Sequence, residues 1–268
     1  MNFFICKIKN YLLGYRERGG LFANTIIRTL KIGYELVFFC VAYFQYVLNY
    51  IEKSKTLANG RFECNWRLRW PCLHDATAST GFDSHYLYHT SWAARILVKE
   101  KPEYHIDISS SLNFVSIVSA IVPLKFYDYR PADIKLSNLE CGSADLLRLP
   151  FDDNSVKSLS CMHVVEHIGL GRYGDAFDSE GDLKAISELT RVLSPGGTLL
   201  FVVPVTGRPV LQFNAHRVYS YDQIVHYFHS LKLKEFALIT DKGDFLEGVT
   251  RDVSDRQIFG CGCFYFKK

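Results

Sequence analysis

Two histidines and a glutamate stand in the run His163-Val-Val-Glu166-His167. That order is the inverted zinc-peptidase motif, in which one helix offers two imidazoles to a metal with a carboxylate beside them as general base. The same groups suit a second chemistry. A neutral imidazole has a pKa near ~6.5, so it accepts a proton from a substrate at pH 7. Glu166, His167, His216 and the pair His85 and His89 are the candidates for that acceptor. The His163 run directly follows an apolar strand-like segment, and no third ligand is evident on a following helix. Proton acceptance is therefore preferred to zinc hydrolysis, and no bound metal is expected.

A second group of polar residues is spaced for a nucleoside. Asp107 and Asp128 each end a short β-rich segment and lie 21 residues apart. In nucleotide-binding units an acidic residue about 20 residues on takes the ribose hydroxyls, and a carboxylate can accept from both at once. Strand-end caps or ion pairs are the plainer reading of the same two residues. The first turn, Asp107-Ile-Ser-Ser-Ser-Leu-Asn113, lacks a Gly-x-Gly-x-x-Gly. Ser109 to Ser111 still allow a tight turn, but serine tolerates positive φ less well than glycine, so close backbone approach is less free. A pyrophosphate-bearing dinucleotide is disfavoured, whereas a nucleoside without phosphate fits. Asp145 can accept from an adenine amino group while the backbone N–H of Leu146 reaches a ring nitrogen.

These groups require a frame. Strand patterns cover 104–108, 124–128, about 137–141, 156–162, 198–203, 235–240 and 260–266. Helical patterns cover 112–122, 180–193 and 220–231, the last with Ser220 as N-cap. Strands alternating with helices predict a mostly parallel sheet covered on both faces, with ligands beyond the carboxyl ends of its strands. The chain has 268 residues, of which 48% are hydrophobic and 22% charged, so wholesale disorder is excluded. A net charge of +3 is too weak for a dedicated nucleic-acid binder. The eight scattered cysteines read as reduced thiols of a cytoplasmic protein. Cys261 and Cys263 fall on one face of a strand, a pattern that favours ordinary core residues over a metal or redox site.

Residues 1–60 differ from the rest. The run 32–51 is apolar and aromatic, with a narrow polar stripe through Arg28, Glu35, Asn49 and Lys53. Its uninterrupted apolar core, Leu36–Phe44, is shorter than the ~20 residues of a membrane span, and a secretory signal is a poor fit. Two readings remain open: a helix packed on the main domain or in a homodimer, and an in-plane helix on a membrane surface with basic flanks on anionic headgroups. The domain boundary is placed at 60/61.

The segments DLLRLPFDDNSVKSLSCMHVVEHIG and ELTRVLSPGGTLLFVVPV resemble the class I S-adenosylmethionine-dependent methyltransferases, in their small-molecule, type 11-like branch. The phrases FDSHYLYHTSWAARIL and HRVYS resemble an uncharacterised bacterial and nematode branch of that superfamily. The motifs span about residues 104–203. The resemblance implies a Rossmann-like three-layer α/β sandwich with a mostly parallel seven-stranded sheet over 61–268. It implies S-adenosylmethionine as cofactor, with Asp107, Ser109 and Ser111 at the methionine part. Asp128 would then lie at the ribose, Asp145 and Leu146 at the adenine, and His163 beside the cofactor. Ser109 and Ser111 depart from the glycines usual there, which bears on cofactor affinity. The expected reaction is methyl transfer to oxygen of a small molecule or surface-glycan precursor. The alternative is a non-catalytic binding or scaffold protein of the same fold.

Overall fold

The computed structural model describes the backbone of residues 21–268 and side chains from residue 29 onward. Two compact units meet at Gly81/Phe82. Residues 61–81 thus go with the N-terminal helix, 21 residues beyond the boundary expected from the sequence.

The first unit contains α1 (Leu21–Ala58). At 1.5 Å per residue its 38 residues extend about 57 Å. Tyr50 and Trp66 meet edge to face at 4.9 Å, and the Tyr50 hydroxyl donates to the Cys64 carbonyl at 3.3 Å. These contacts explain why the segment after residue 60 belongs with the helix. Leu36, Val37, Val41 and Phe44 are exposed. By length and composition, Thr29–Ala58 could cross a membrane. A count of uninterrupted apolar residues understates this, because single polar residues interrupt the run without making it polar.

The second unit is a three-layer α/β sandwich. Its elements are α2 (Ser84–Glu100), β1 (His105–Ile108), α3 (Leu112–Val118), β2 (Leu124–Asp128), β3 (Leu139–Ser143) and β4 (Val156–Met162). Then come α4 (Gly181–Val192), β5 (Leu193–Val205), β6 (Val210–Gln212), β7 (His216–Val218) and α5 (Tyr221–Tyr227). β8 (Lys232–Ile239), β9 (Phe245–Glu247), α6 (Arg251–Ser254) and β10 (Gly260–Lys267) complete the chain. The sheet order is β3-β2-β1-β4-β5-β10-β8-β9, and β6 pairs with β7 separately. β1 to β5 are mutually parallel, while β10 runs antiparallel to both β5 and β8. The sheet has eight strands rather than the expected seven, because the turn at Gly243 folds β9 back onto β8.

The period of each element decides its layer. Trp92, Ala93, Ile96 and Leu97 of α2 join Phe114, Val115 and Val118 of α3 in one core cluster. Ala185, Ile186 and Leu189 of α4 join Ile224 and Phe228 in the other. Alternation along β1 sends Ile106 and Ile108 to the second cluster and leaves His105 and Asp107 on the opposite face. α2 starts at Asp83, whose carboxylate accepts from the Tyr86 N–H at 3.1 Å. It ends at Lys101 in the left-handed region. α3 is shorter than its apolar pattern, stopping at Val118 rather than 122.

The motifs behind the resemblance form a single clamp. Arg191 holds Glu188 through two bonds of 2.7 and 2.8 Å, and also donates to the Phe151 and Leu149 carbonyls and to Asp153. Glu188 in turn accepts from the Leu149 N–H at 2.9 Å. The Leu-Pro-Phe turn is thereby tied to α4, which fixes the loop carrying Asp145. Ser194-Pro-Gly-Gly does not follow the helix as a free loop. It lies within β5 as an irregularity, where the register with β4 shifts between Val156 and Ser158.

Candidate functional site

The strand order reverses between β1 and β4, and the candidate residues collect at the carboxyl ends of the strands around that point. Asp107 lies behind the first loop rather than in the cleft. It is fully buried, its Oδ1 accepts from the Ser110 N–H at 3.0 Å, and its Oδ2 accepts from the Ser160 hydroxyl. Both oxygens are engaged, so Asp107 braces the loop and is not placed to bind a ligand directly, contrary to the role the resemblance implies. Burial raises its pKa to about 6. Ser110 extends the brace, since its hydroxyl accepts from the Met162 N–H at 3.1 Å.

Ser109 adopts φ 56°, the left-handed conformation usual for glycine. Its N–H donates to the Tyr127 carbonyl at 2.8 Å, and its hydroxyl reaches the same oxygen at 3.3 Å. The loop therefore keeps a glycine-like path despite its three serines. Ser111 is at φ −69° and caps α3 without a side-chain bond. Asp128 accepts from the Arg130 N–H at 2.7 Å, and Asp145 accepts from the Leu147 N–H at 2.9 Å. Each uses one oxygen in its own turn, and among the described residues nothing bonds the other. Leu146 is buried, whereas Asp145 is exposed.

Beyond β4 the structure gathers every histidine proposed as a proton acceptor. His163 has φ 59° and its N–H donates to the Val202 carbonyl. Its ring lies 5.9 Å from that of His85, 5.1 Å from His89 and 5.5 Å from Tyr86. His85 stacks on Phe259 at 5.7 Å, Phe259 meets His216 at 5.1 Å, and His216 meets His167 at 6.0 Å. His163 Nδ1 donates to Glu166 Oε1 at 2.9 Å, and Nε2 faces the Cys261 sulfur at 3.3 Å. Burial lowers the pKa of His85, His89 and His216, that of His89 to about 3. Burial also opposes protonation of His163, but the Cys261 sulfur and the Glu166 carboxylate outweigh it and hold its pKa up.

The helix required by the zinc-peptidase reading is not formed. Val165–His167 is a single 3-10 turn, and His163 precedes it in the left-handed region. His167 Nδ1 instead donates to the Ala215 carbonyl at 2.7 Å, which leaves Nε2 as its acceptor atom. Five buried side-chain atoms have no hydrogen-bond partner among the described residues, and three belong here: His89 Nε2, Glu166 Oε2 and His216 Nε2. Buried polar groups are normally paired with protein or ordered water, so three open atoms in one place make this the candidate site.

The phrase HRVYS has a structural meaning that spacing alone did not disclose. His216 faces the cluster, while Arg217 donates to the Ile168 carbonyl at 2.7 Å and pairs with Asp182 at 3.4 Å. Tyr219 donates to Asp182 at 2.9 Å, and Ser220 forms a capping box with Gln223. Gly169 closes the same loop. It has φ 78°, and a Cβ there would lie 2.1 Å from the Asp178 carbonyl oxygen. Arg172 and Arg130 bracket the Tyr173 ring at 5.1 and 5.0 Å, a contact between the loops after β4 and β2. Tyr86, Phe259 and Cys261 also join the site. Tyr86 stands next to His85 in the sequence, whereas Phe259 and Cys261 are distant from the other members, so no local pattern reveals those two.

Residues 153–233 match the family model described as Caenorhabditis protein of unknown function, DUF268. No curated protein matches the chain. Among solved structures, the YcgJ protein of Bacillus subtilis is 14% identical, with TM-score 0.46, over 66% of this chain and 98% of its own. The N-methyltransferase NodS of Bradyrhizobium japonicum, solved with S-adenosyl-L-homocysteine, is 15% identical with TM-score 0.44, over 74% of this chain and 91% of its own. The 1,6-didemethyltoxoflavin-N1-methyltransferase of Burkholderia thailandensis is 8% identical with TM-score 0.45, over 68% and 78% respectively.

Proposed function

We propose that the chain is an S-adenosylmethionine-dependent methyltransferase acting on a hydroxyl of a small molecule or surface-glycan precursor. One observation carries the reading. A loop and two carboxylates suited to a nucleoside adjoin, across the β1/β4 switch point, a cluster of imidazoles in which burial lowers the pKa of His89 and His216 and leaves each with an unpartnered Nε2. Ser110 joins the halves, because it bonds the backbone of Met162, the residue before His163.

The residues present fit the cofactor. Ser109 gives the loop a glycine-like path, and the unbonded oxygens of Asp128 and Asp145 suit vicinal hydroxyls and an amino group. When bound, the cofactor supplies a methyl group on a sulfonium already activated toward in-line attack. The protein is left to position the acceptor and remove its proton. His216 Nε2 is the preferred acceptor atom: it is buried, has no partner, and burial keeps the ring neutral at pH 7. Glu166 orients His163, and Nε2 of His167 is the second acceptor available. The exposed apolar surface of α1 supports attachment to an anionic membrane surface, hence a lipid-linked or surface-glycan acceptor.

S-adenosylhomocysteine should raise the melting temperature of the full-length protein, since a ligand that binds the native state stabilises it by mass action. No shift at millimolar ligand would defeat the enzyme reading and favour a non-catalytic member of the fold.

A further inference from the structure

Spacing assigns Cys261 to the ordinary core, but its sulfur has a chemical neighbour. Cys261 lies at the start of β10, opposite Pro204 of β5, at the carboxyl end of the parallel strands. Its sulfur is buried 3.3 Å from His163 Nε2. One nitrogen of His85, one of His163 and this sulfur all lie within 4.8 Å of one another. We propose that His85, His163 and Cys261 form a binding site for a divalent transition metal, zinc being the best match.

The chemistry of the donors points there. Two imidazoles and a thiolate are a borderline-soft set that suits zinc. A tetrahedral ion with bonds of about 2.1 Å to nitrogen and 2.3 Å to sulfur holds those ligands about 3.6 Å apart. The His163–Cys261 separation of 3.3 Å already approaches that value, so closure falls to the His85 side chain on α2.

The tautomer is also set. His163 Nδ1 donates to Glu166 Oε1, so a metal that displaces the Nε2 proton meets a lone pair directed toward Cys261. A carboxylate behind the distal nitrogen is the usual way a metal-binding histidine is oriented and made more basic. A second observation marks a ligand. His89 is fully buried and its Nδ1 is taken by the His85 carbonyl, yet its Nε2 has no partner, and its ring stands 5.1 Å from that of His163. Three protein ligands leave a fourth position open, as in catalytic zinc sites, for a water or hydroxyl oxygen whose pKa the ion would lower. The metal assignment does not depend on the methyltransferase reading. It differs from the zinc-peptidase motif in using Cys261 and His85 in place of His167.

Full-length protein, stripped with chelator and re-equilibrated with zinc, should retain one zinc per chain by elemental analysis. Cobalt(II) in its place should show a thiolate-to-metal charge-transfer band. Glu166→Gln should weaken zinc binding about 10–100-fold; His85→Gln, His163→Gln and Cys261→Ser should weaken it further, and Cys261→Ser should remove the band. His85 is partly exposed on α2, so His85→Gln gives an answer even where the buried Cys261→Ser does not fold. No retained zinc, or stoichiometric zinc that survives His85→Gln, would overturn the assignment. Titration of the same samples with S-adenosylhomocysteine keeps the two proposals apart, because either ligand can bind without the other.

Discussion

Acidification should destabilise this protein through a histidine far from solvent. His105 is fully buried on β1, and burial lowers its pKa to about 3. Its partners fix the ring. Ser160 donates to Asp107, so it accepts from His105 Nε2–H at 2.8 Å, and Ser158 therefore donates to Nδ1 at 2.7 Å. Protonating Nδ1 would break the second bond and place a charge in the core. The unfolded chain takes up that proton below about 6.5, whereas the native state resists it down to about 3. The contribution of His105 is therefore complete above pH 6.5 and is lost progressively as the pH falls. Between pH 7 and pH 5 the loss from His105 alone is about 2 kcal/mol. Urea unfolding of the wild type and of His105→Gln at both pH values isolates it. Glutamine retains a donor and an acceptor but does not titrate, so its fixed cost cancels in the double difference, which should be about 2 kcal/mol. Equal pH slopes in the two proteins, or a resonance assigned to His105 that titrates near pH 6.5, would refute the reasoning.

Four further outcomes are expected of the same molecule. Arg191→Ala should lower stability by about 2 kcal/mol, read as an earlier urea midpoint, because charge-assisted bonds to Glu188 and Asp153 are lost and the Leu149 and Phe151 carbonyls lose a donor. Ser109→Gly should be nearly neutral, since relief of the left-handed strain offsets the greater freedom of glycine when unfolded. Ser109→Val should cost about 1–3 kcal/mol by thermal melting, because a β-branched residue tolerates φ 56° badly. If α1 lies at a membrane surface, full-length protein should co-sediment with anionic vesicles and high salt should release it only in part, as headgroup attraction is screened while apolar insertion persists; full recovery in the supernatant at low salt would contradict this.

The sheet was legible because its determinants are local. The alternation at 105–108 and 156–162, and the 3.6-residue period of Leu183 to Val192, each select an element without help from the rest of the chain. The places of Asp128 at the end of β2 and Asp145 just after β3 were legible for the same reason; the bond each makes to an amide of its own turn was not. Three features were not. β9 depends on a tight turn at Gly243 and spans only three residues. Asp107 has the sequence position of a ligand-facing carboxylate, but its direction was decided by Ser160 on a strand 53 residues away. Cys261 read as a core cysteine because a strand pattern records which face a side chain takes and not what stands at the strand's end. His163, 98 residues earlier, is what gives that sulfur a chemical neighbour.

The central claim is that the cleft at the β1/β4 switch point binds a nucleoside thioether through Asp128. Isothermal titration of full-length protein with S-adenosylhomocysteine, set beside Asp128→Ala, tests it most directly. Asp128 is partly exposed and bonds only the amide of Arg130, so the variant should fold. The account predicts saturable binding at one site per chain, weakened by about 1–3 kcal/mol in Asp128→Ala as the charge-assisted bonds to the ribose are lost. Absence of binding to the wild type, or equal affinity in the variant, would contradict it.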